Sequence, residues 1–369
     1  MIDIKKLDRE LLKVEKPARY VGSELNSVVK NRDEVAIRFA FAFPDVYEVG
    51  MSHTGLHILY HLLNSSPNIW CERVFAPWTD MEEIMRKNNI PLYGLESKDE
   101  LKEFDFIGFT LQYEMSYSNV LNMLDLGDIP ILSKDRTNHM PLVIAGGPCV
   151  YNPEPLYEVI DLFTIGESEE LLPELMSLYE EEKNKGFDRL AFLEKAARLE
   201  GIYVPQFYEE IYKDDCTIKR RMILNKNAKE VVTKRIIKDL DKCYYPDKSI
   251  LPYIDVVHDR VVLEIFRGCT RGCRFCQAGM VYRPVRERTP DTLVKQADSM
   301  LRSTGHDEIS LTSLSSGDYS CLPDLTLKLL DKYENQNVSI SLPSLRLDSM
   351  TFDIIERLQE VRKSGLTFA

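Results

Sequence analysis

No run of 18 uncharged apolar residues occurs anywhere in the 369-residue sequence. Its first ten residues carry Asp3, Lys5, Lys6, Asp8, Arg9 and Glu10 where a secretion signal would need an apolar stretch. These absences predict a chain that neither spans a membrane nor follows the secretory route, hence a cytoplasmic one. An excess of positive charge is missing too. With 47 Lys and Arg against 59 Asp and Glu the net charge is −12, so the surface as a whole is not a polyanion-binding field and any nucleic-acid contact must be local. Repeats and low-complexity tracts are absent, and tryptophan is reduced to 2 residues. In a reducing compartment the 8 cysteines are not a disulfide framework, and a tight group of them reads as metal-binding. Length and an ordinary 44% hydrophobic content suggest two to three domains with a large core.

From residue 35 to about 186, apolar runs alternate with helix-like segments. Strands are expected at Val35–Phe43, Arg73–Phe75, Phe104–Phe109, Leu142–Ala145 and Leu162–Ile165, with helices near 52–64, 80–88, 116–126 and 168–185. The fold class is α/β: a doubly wound, flavodoxin- or Rossmann-like parallel sheet. A ligand would lie past the carboxyl ends of its strands, where Pro44-Asp45, Thr110-Leu111 and Gly146-Gly147-Pro148 fall. Residues 1–34 form an N-terminal extension. Residues 187–259 read as a connecting subdomain, with a helix at 187–200, a hairpin from Phe207 to Leu224 around Asp214-Asp215, and a charged linker.

A second alternation fills residues 260–369. Strands are expected at Val261–Phe266, Glu308–Thr312, Val338–Leu342 and Leu366–Ala369, and helices at 290–303, Leu322–Tyr333 and Ser349–Lys363, the first opened by an N-cap at Thr289 and Pro290. A complete β/α barrel uses roughly 31 residues per unit. The 109 residues from Val261 therefore supply about three and a half units. The reading is a partial barrel, with a separate chain to complete it as one expected partner.

Between the first strand and helix of that array stands Arg267-Gly268-Cys269-Thr270-Arg271-Gly272-Cys273-Arg274-Phe275-Cys276. Three thiolates at C-x-x-x-C-x-x-C spacing, with Gly268 and Gly272 to curl the loop, can converge on one face of an iron–sulfur cubane and leave the fourth iron open. A structural zinc site wants two Cys pairs or a nearby His. Here Cys243 lies 26 residues before the motif and Cys321 45 after it.

The motif, in the first loop of a parallel β/α array, resembles the radical S-adenosylmethionine (SAM) superfamily. The likeness extends through Ala40–Ser52, Cys71–Trp78, Gly146–Pro155 and Cys276–Arg288 to a family of radical SAM proteins with an N-terminal cobalamin-binding-like domain. It implies that Cys269, Cys273 and Cys276 ligate a 4Fe-4S cluster and that SAM chelates the open iron. Phe275 would then touch the adenine. Reductive cleavage of SAM would follow, with electrons from a donor such as flavodoxin or ferredoxin. Where many relatives carry Gly-Gly-Glu to hold the SAM amino group, this chain reads Ser313-Leu314-Ser315-Ser316-Gly317-Asp318, and the role falls to Ser315, Ser316 and Gly317. Thr110, Gly146 and Gly147 resemble cobalamin-loop signatures, whereas Met51-Ser52-His53-Thr54-Gly55 replaces the Asp-x-His-x-x-Gly that supplies a histidine to cobalt. The expected function is a radical SAM enzyme of unknown substrate, with cobalamin possible. Two other readings are RNA or protein methylthiolation and a non-catalytic cluster- or cobalamin-binding module. Methylthiotransferases hold a second cluster on three N-terminal cysteines, and Cys71 and Cys149 are the only two in that domain here.

His53, His57 and His61 recur every four residues and are expected on a half-exposed helix face. Arg267, Arg271, Arg274, Arg283, Arg286 and Arg288 place six positive charges in 22 residues, to balance anionic cofactors or to meet an anionic substrate.

Overall fold

The computed structural model describes residues 2–345 in two compact units, Met1–Ile236 and Ile237–Ala369. The expected helix at Ser349–Lys363 and strand at Leu366–Ala369 lie outside the described residues.

The first unit is built on a six-stranded sheet: β1 (Ile37–Phe43), β2 (Ile69–Phe75), β3 (Phe106–Thr110), β4 (Leu142–Gly146), β5 (Leu162–Thr164) and β6 (Ile202–Tyr203), in the order β2-β1-β3-β4-β5-β6. All pairings are parallel except β5–β6. The helices are α1 (Ile4–Leu11), α2 (Tyr47–Gly50), α3 (Thr54–Ser65), α4 (Thr79–Asn88), α5 (Tyr117–Leu126), α6 (Ser168–Asn184) and α7 (Arg189–Ala196). Every residue of β1 and β2 is buried, as a strand covered on both faces requires. The chain runs outward from β1 in both directions, which places the topological switch between β1 and β3. A short antiparallel ribbon, β7 (Tyr208–Tyr212) with β8 (Ile218–Ile223), follows, and it is the hairpin expected around Asp214-Asp215.

Three elements differ from the sequence reading. β2 begins at Ile69, four residues before the expected strand at Arg73–Phe75, because Glu72, a buried charge inside it, broke the apolar pattern. Arg73 is fully buried between Glu24 at 2.6 Å and Glu96 at 2.8 Å, and Arg38 lies between Glu72 and Asp99. Such charges are tolerated inside only when paired, and loss of one partner typically costs about 3–5 kcal/mol. β6 adds an antiparallel edge that two residues of pattern did not announce. The histidines, expected on a half-exposed face, are mostly interior. His57 and His61 are buried, and His53 caps α3 by accepting the Leu56 N–H at 3.1 Å while its ring rests on Phe43.

In the second unit β9 (Val261–Glu264), β12 (Glu308–Thr312) and β13 (Ser339–Ser341) form a parallel sheet in the order β13-β12-β9. A two-residue ribbon, β10 (Phe266–Arg267) with β11 (Arg286–Glu287), stands beside it. Helices α8 (Ala278–Val281), α9 (Pro290–Thr304) and α10 (Leu322–Tyr333) complete the described part. Thr289 caps α9 by accepting the Thr292 N–H, Pro290 fills the first helical position, and Gly305 ends the helix in the left-handed region. Leu293 and Ala297 of α9 and Leu325 and Leu329 of α10 pack on Val261, Leu263, Ile309 and Leu311 of the sheet. Each large side chain so buried stabilises the fold by about 1.5–3 kcal/mol.

Burial lowers the His57 imidazole to about 4, although its ring nitrogen hydrogen-bonds the Met51 carbonyl at 2.8 Å. Between pH 6.5 and 4 the unfolded chain therefore binds a proton that the folded chain refuses, so stability falls as pH falls through that window and levels off below it. The expected loss from His57 is about 3 kcal/mol. Both tryptophans, Trp70 and Trp78, lie in the first unit, so their fluorescence during urea unfolding at pH 7 and pH 5 reads the effect directly. His57→Gln should remove about half of the dependence, since burial also lowers the His53 imidazole to about 4 and leaves its share in place.

Candidate metal centre

β9 ends on a carboxylate in an otherwise apolar strand, and the site is assembled from it. Glu264 accepts two hydrogen bonds from Arg267, at 2.8 and 2.9 Å, and one from Arg288 at 3.2 Å. Burial pushes the Glu264 carboxyl up, but Arg267 and Arg288 outweigh it and hold the group below its ordinary value. Arg288 is 1% exposed; it also donates to the Glu264 and Leu240 carbonyls and lies over the Tyr245 ring. Phe266 pairs with Glu287 and Arg267 with Arg286, so residues 268–285 leave and return at one point. Gly268 forms the pinch. Its φ is +93°, and a Cβ there would stand 2.5 Å from the Pro284 oxygen.

The three cysteines of the motif ride on this closed loop. Cys269 is half-buried, Cys273 and Cys276 are exposed, and the Cys276 N–H donates to the Cys273 carbonyl at 3.0 Å. Gly272, at φ +68°, lets the loop curl between the first two. Phe275 is 92% exposed. Among the described residues no three His, Cys, Asp or Glu side chains converge closely enough to hold a metal ion together, so the structure gathers the three thiols on one loop without drawing them into a ligating triad. The donor set nonetheless fits a soft, thiolate-bound metal group: three thiols within eight residues, two of them open to an incoming group. Cys71 and Cys149, by contrast, are buried in the first unit.

β12 pairs with β9 so that Thr312 stands opposite Glu264, and the turn after it comes to the cysteine loop. Ser316 is buried and donates to the Leu311 carbonyl at 3.2 Å, and its N–H donates to the Ser344 carbonyl. Ser315 is 3% exposed, and its hydroxyl has no hydrogen-bond partner among the described residues. A buried hydroxyl left so costs free energy until something pairs with it. Asp318, one residue past Gly317, forms an ion pair with Arg271.

Five of the six arginines have partners: Arg267 and Arg288 are committed to Glu264, Arg271 to Asp318, Arg283 to the Cys269 carbonyl and Arg286 to the Pro284 and Ile237 carbonyls, while Arg274 is exposed. Their number alone therefore does not mark an anionic substrate. Glu264 went unnoticed in the sequence. A single acid closing an apolar strand just before an arginine-rich loop was the signal for it.

In the first unit, Thr110 and Gly146 stand opposite each other at the carboxyl ends of β3 and β4. The Thr110 hydroxyl accepts from Gln112 at 2.7 Å. Gly147, at φ +102°, packs against the Leu111 backbone, where a Cβ would come within 2.6 Å of the Leu111 oxygen. His53 is spent on capping α3, and burial lowers its imidazole to about 4.

Residues 55–205 match the family described as radical SAM proteins, N-terminal, and residues 263–369 match the radical SAM superfamily. An uncharacterised protein of Methanocaldococcus jannaschii is 28% identical over 321 residues, 87% of this chain and 58% of the relative. The threonylcarbamoyladenosine tRNA methylthiotransferase MtaB of Bacillus subtilis is 25% identical over 166 residues, 44% of this chain and 32% of its own length. Among solved structures, the radical SAM methyltransferase TsrM of Kitasatospora setae, with tryptophan and a SAM analogue bound, aligns with a TM-score of 0.51 at 11% identity, over 90% of this chain and 66% of TsrM. The cobalamin-dependent SAM radical enzyme OxsB, with aqua-cobalamin bound, aligns with a TM-score of 0.52 at 13% identity, over 96% of this chain and 47% of OxsB. At such identities the likeness speaks to the fold, and the chain spans less than two thirds of each of these proteins. One match falls on the parallel sheet of the first unit and the other on the cysteine loop of the second, and together they place the chain in the radical SAM superfamily.

Proposed function

We propose that Cys269, Cys273 and Cys276 hold a 4Fe-4S cluster with one iron open to SAM, and that the chain takes part in reductive cleavage of SAM. The observation that supports this most is the placement of three thiols on one pinched loop beyond β9, beside a turn whose buried Ser315 hydroxyl has no partner among the described residues. When bound, such a cluster supplies the electron that splits SAM into methionine and a 5′-deoxyadenosyl radical. The protein's own part is positional. Gly268 closes the loop and Glu264 with its two arginines fixes the loop's base, while Ser315, Ser316 and Gly317 would hold the SAM amino group. Phe275, exposed beside the third cysteine, is free to cover the adenine. Methylthiolation is disfavoured because Cys71 and Cys149 are buried on separate elements of the first unit and cannot share a second cluster without disrupting it.

Anaerobically reconstituted protein is expected to carry about four irons and four sulfides, and Cys269→Ala, Cys273→Ala or Cys276→Ala is each expected to abolish that content. Elemental analysis decides it. Stoichiometric zinc without iron would overturn the proposal.

For the first unit we propose cobalamin at the strand ends around Thr110, Gly146 and Gly147, held without a histidine beneath cobalt. The register that sets Thr110 beside Gly146 supports the location, and the commitment of His53 to the Leu56 N–H supports the missing ligand. The absorption spectrum of the bound form should be of the base-off kind and unchanged in His53→Ala. Imidazole coordination that disappears in the variant, or no binding at all, would refute this.

A further inference from the structure

We propose that Arg271 and Asp318 form a positioning clamp that sets the cysteine loop against the turn after β12, an inference that rests on the cluster and SAM reading of that site. Arg271 sits between the first two motif cysteines, so whatever fixes it fixes them. Its guanidinium grips Asp318, 47 residues away, through two parallel hydrogen bonds, one of them 2.8 Å long. The Asp318 end is rigidly mounted. The Tyr319 hydroxyl donates to the Arg288 carbonyl at 2.7 Å, the Ser320 N–H donates to Glu287 at 3.1 Å, and Phe266 and Tyr319 stack with ring centres 6.4 Å apart.

The Arg271 end is not so mounted. Residues 270–277 are all exposed, and Gly272 beside Arg271 has almost nothing within 4 Å of where a Cβ would stand. Burial therefore does little to orient the tip of the loop, and a directional fork between charged groups takes over that task. Arginine suits it because its planar donors lock both distance and angle, which a lysine ammonium does not. The pair is partly exposed, with 40% of the Arg271 and 23% of the Asp318 side chain accessible, so its strength is that of a good surface pair. Such a pair is enough to shift a positional equilibrium about fivefold.

Neither residue is placed to ligate the metal, so the clamp predicts normal iron content with altered SAM binding. Wild-type protein, Arg271→Ala, Arg271→Lys, Asp318→Asn and the charge-reversed double variant R271D/D318R are reconstituted anaerobically. Iron is counted, and SAM is titrated against the electron paramagnetic resonance signal of the reduced cluster. The expected result is wild-type iron in every variant and a half-maximal SAM concentration raised about fivefold in Arg271→Ala and Asp318→Asn, with Arg271→Lys between and the double variant returning toward wild type. Unchanged SAM titrations in both single variants overturn the clamp. If the wild type binds no iron, the cluster reading fails, and the clamp is then judged on the metal-free chain. Tryptic cleavage after Arg274 should be several-fold faster in Asp318→Asn, and equal rates overturn the clamp there as well.

Discussion

The bond between Glu264 and its two arginines is the constraint on which the candidate centre depends. One carboxylate at the end of β9 takes Arg267 from the outgoing limb of the loop and Arg288 from the returning limb. The backbone of Arg288 in turn receives the Tyr319 hydroxyl, so the same few atoms connect the sheet end, both limbs of the cysteine loop and the turn after β12. Replacing the acid would leave two cations facing each other, one of them out of contact with water, a far larger penalty than the loss of a surface pair.

Much of this architecture was legible in the sequence, because the features concerned are local. The strand at Glu308–Thr312, the helix at Leu322–Tyr333 and the Thr289-Pro290 start of α9 depend on periodicity and capping chemistry within a dozen residues. What escaped depends on contacts across the chain. The strand expected at Arg73–Phe75 stops short of Glu72, because the partners that let Glu72 and Arg73 be buried, Arg38, Glu24 and Glu96, lie far away in the chain. For the arginines of the cysteine segment the sequence suggests anionic cofactors or an anionic substrate as partners, whereas Glu264, Asp318 and several carbonyls take up five of the six. Sequence shows that a charge is present and is silent on what neutralises it. The Ser315 hydroxyl is the extreme case, since only the fold reveals a buried polar atom without a partner among the described residues.

Glycine carries a different message in each unit. Gly147 is explained by the Leu111 backbone that presses on it, so its presence at a strand end requires no ligand. Gly268 is likewise explained by the Pro284 oxygen, yet the closure it permits is what turns eighteen residues into a loop with a single entry and exit. The same physical allowance, backbone against backbone with no Cβ between, serves packing in one place and presentation in the other.

The open placement of Cys273 and Cys276 has a cost in time rather than in stability. Thiols that stand in water at one turn of a loop, three residues apart and unshielded by apolar side chains, are accessible to oxidants as well as to metal. Without metal, the loop competes between ligation and oxidation, and the two outcomes exclude each other, since a sulfur tied up in a disulfide or sulfenic acid no longer ligates iron. The folded sheet beneath is indifferent to that contest. Access to oxygen therefore limits how long the metal-free loop stays competent to take up iron.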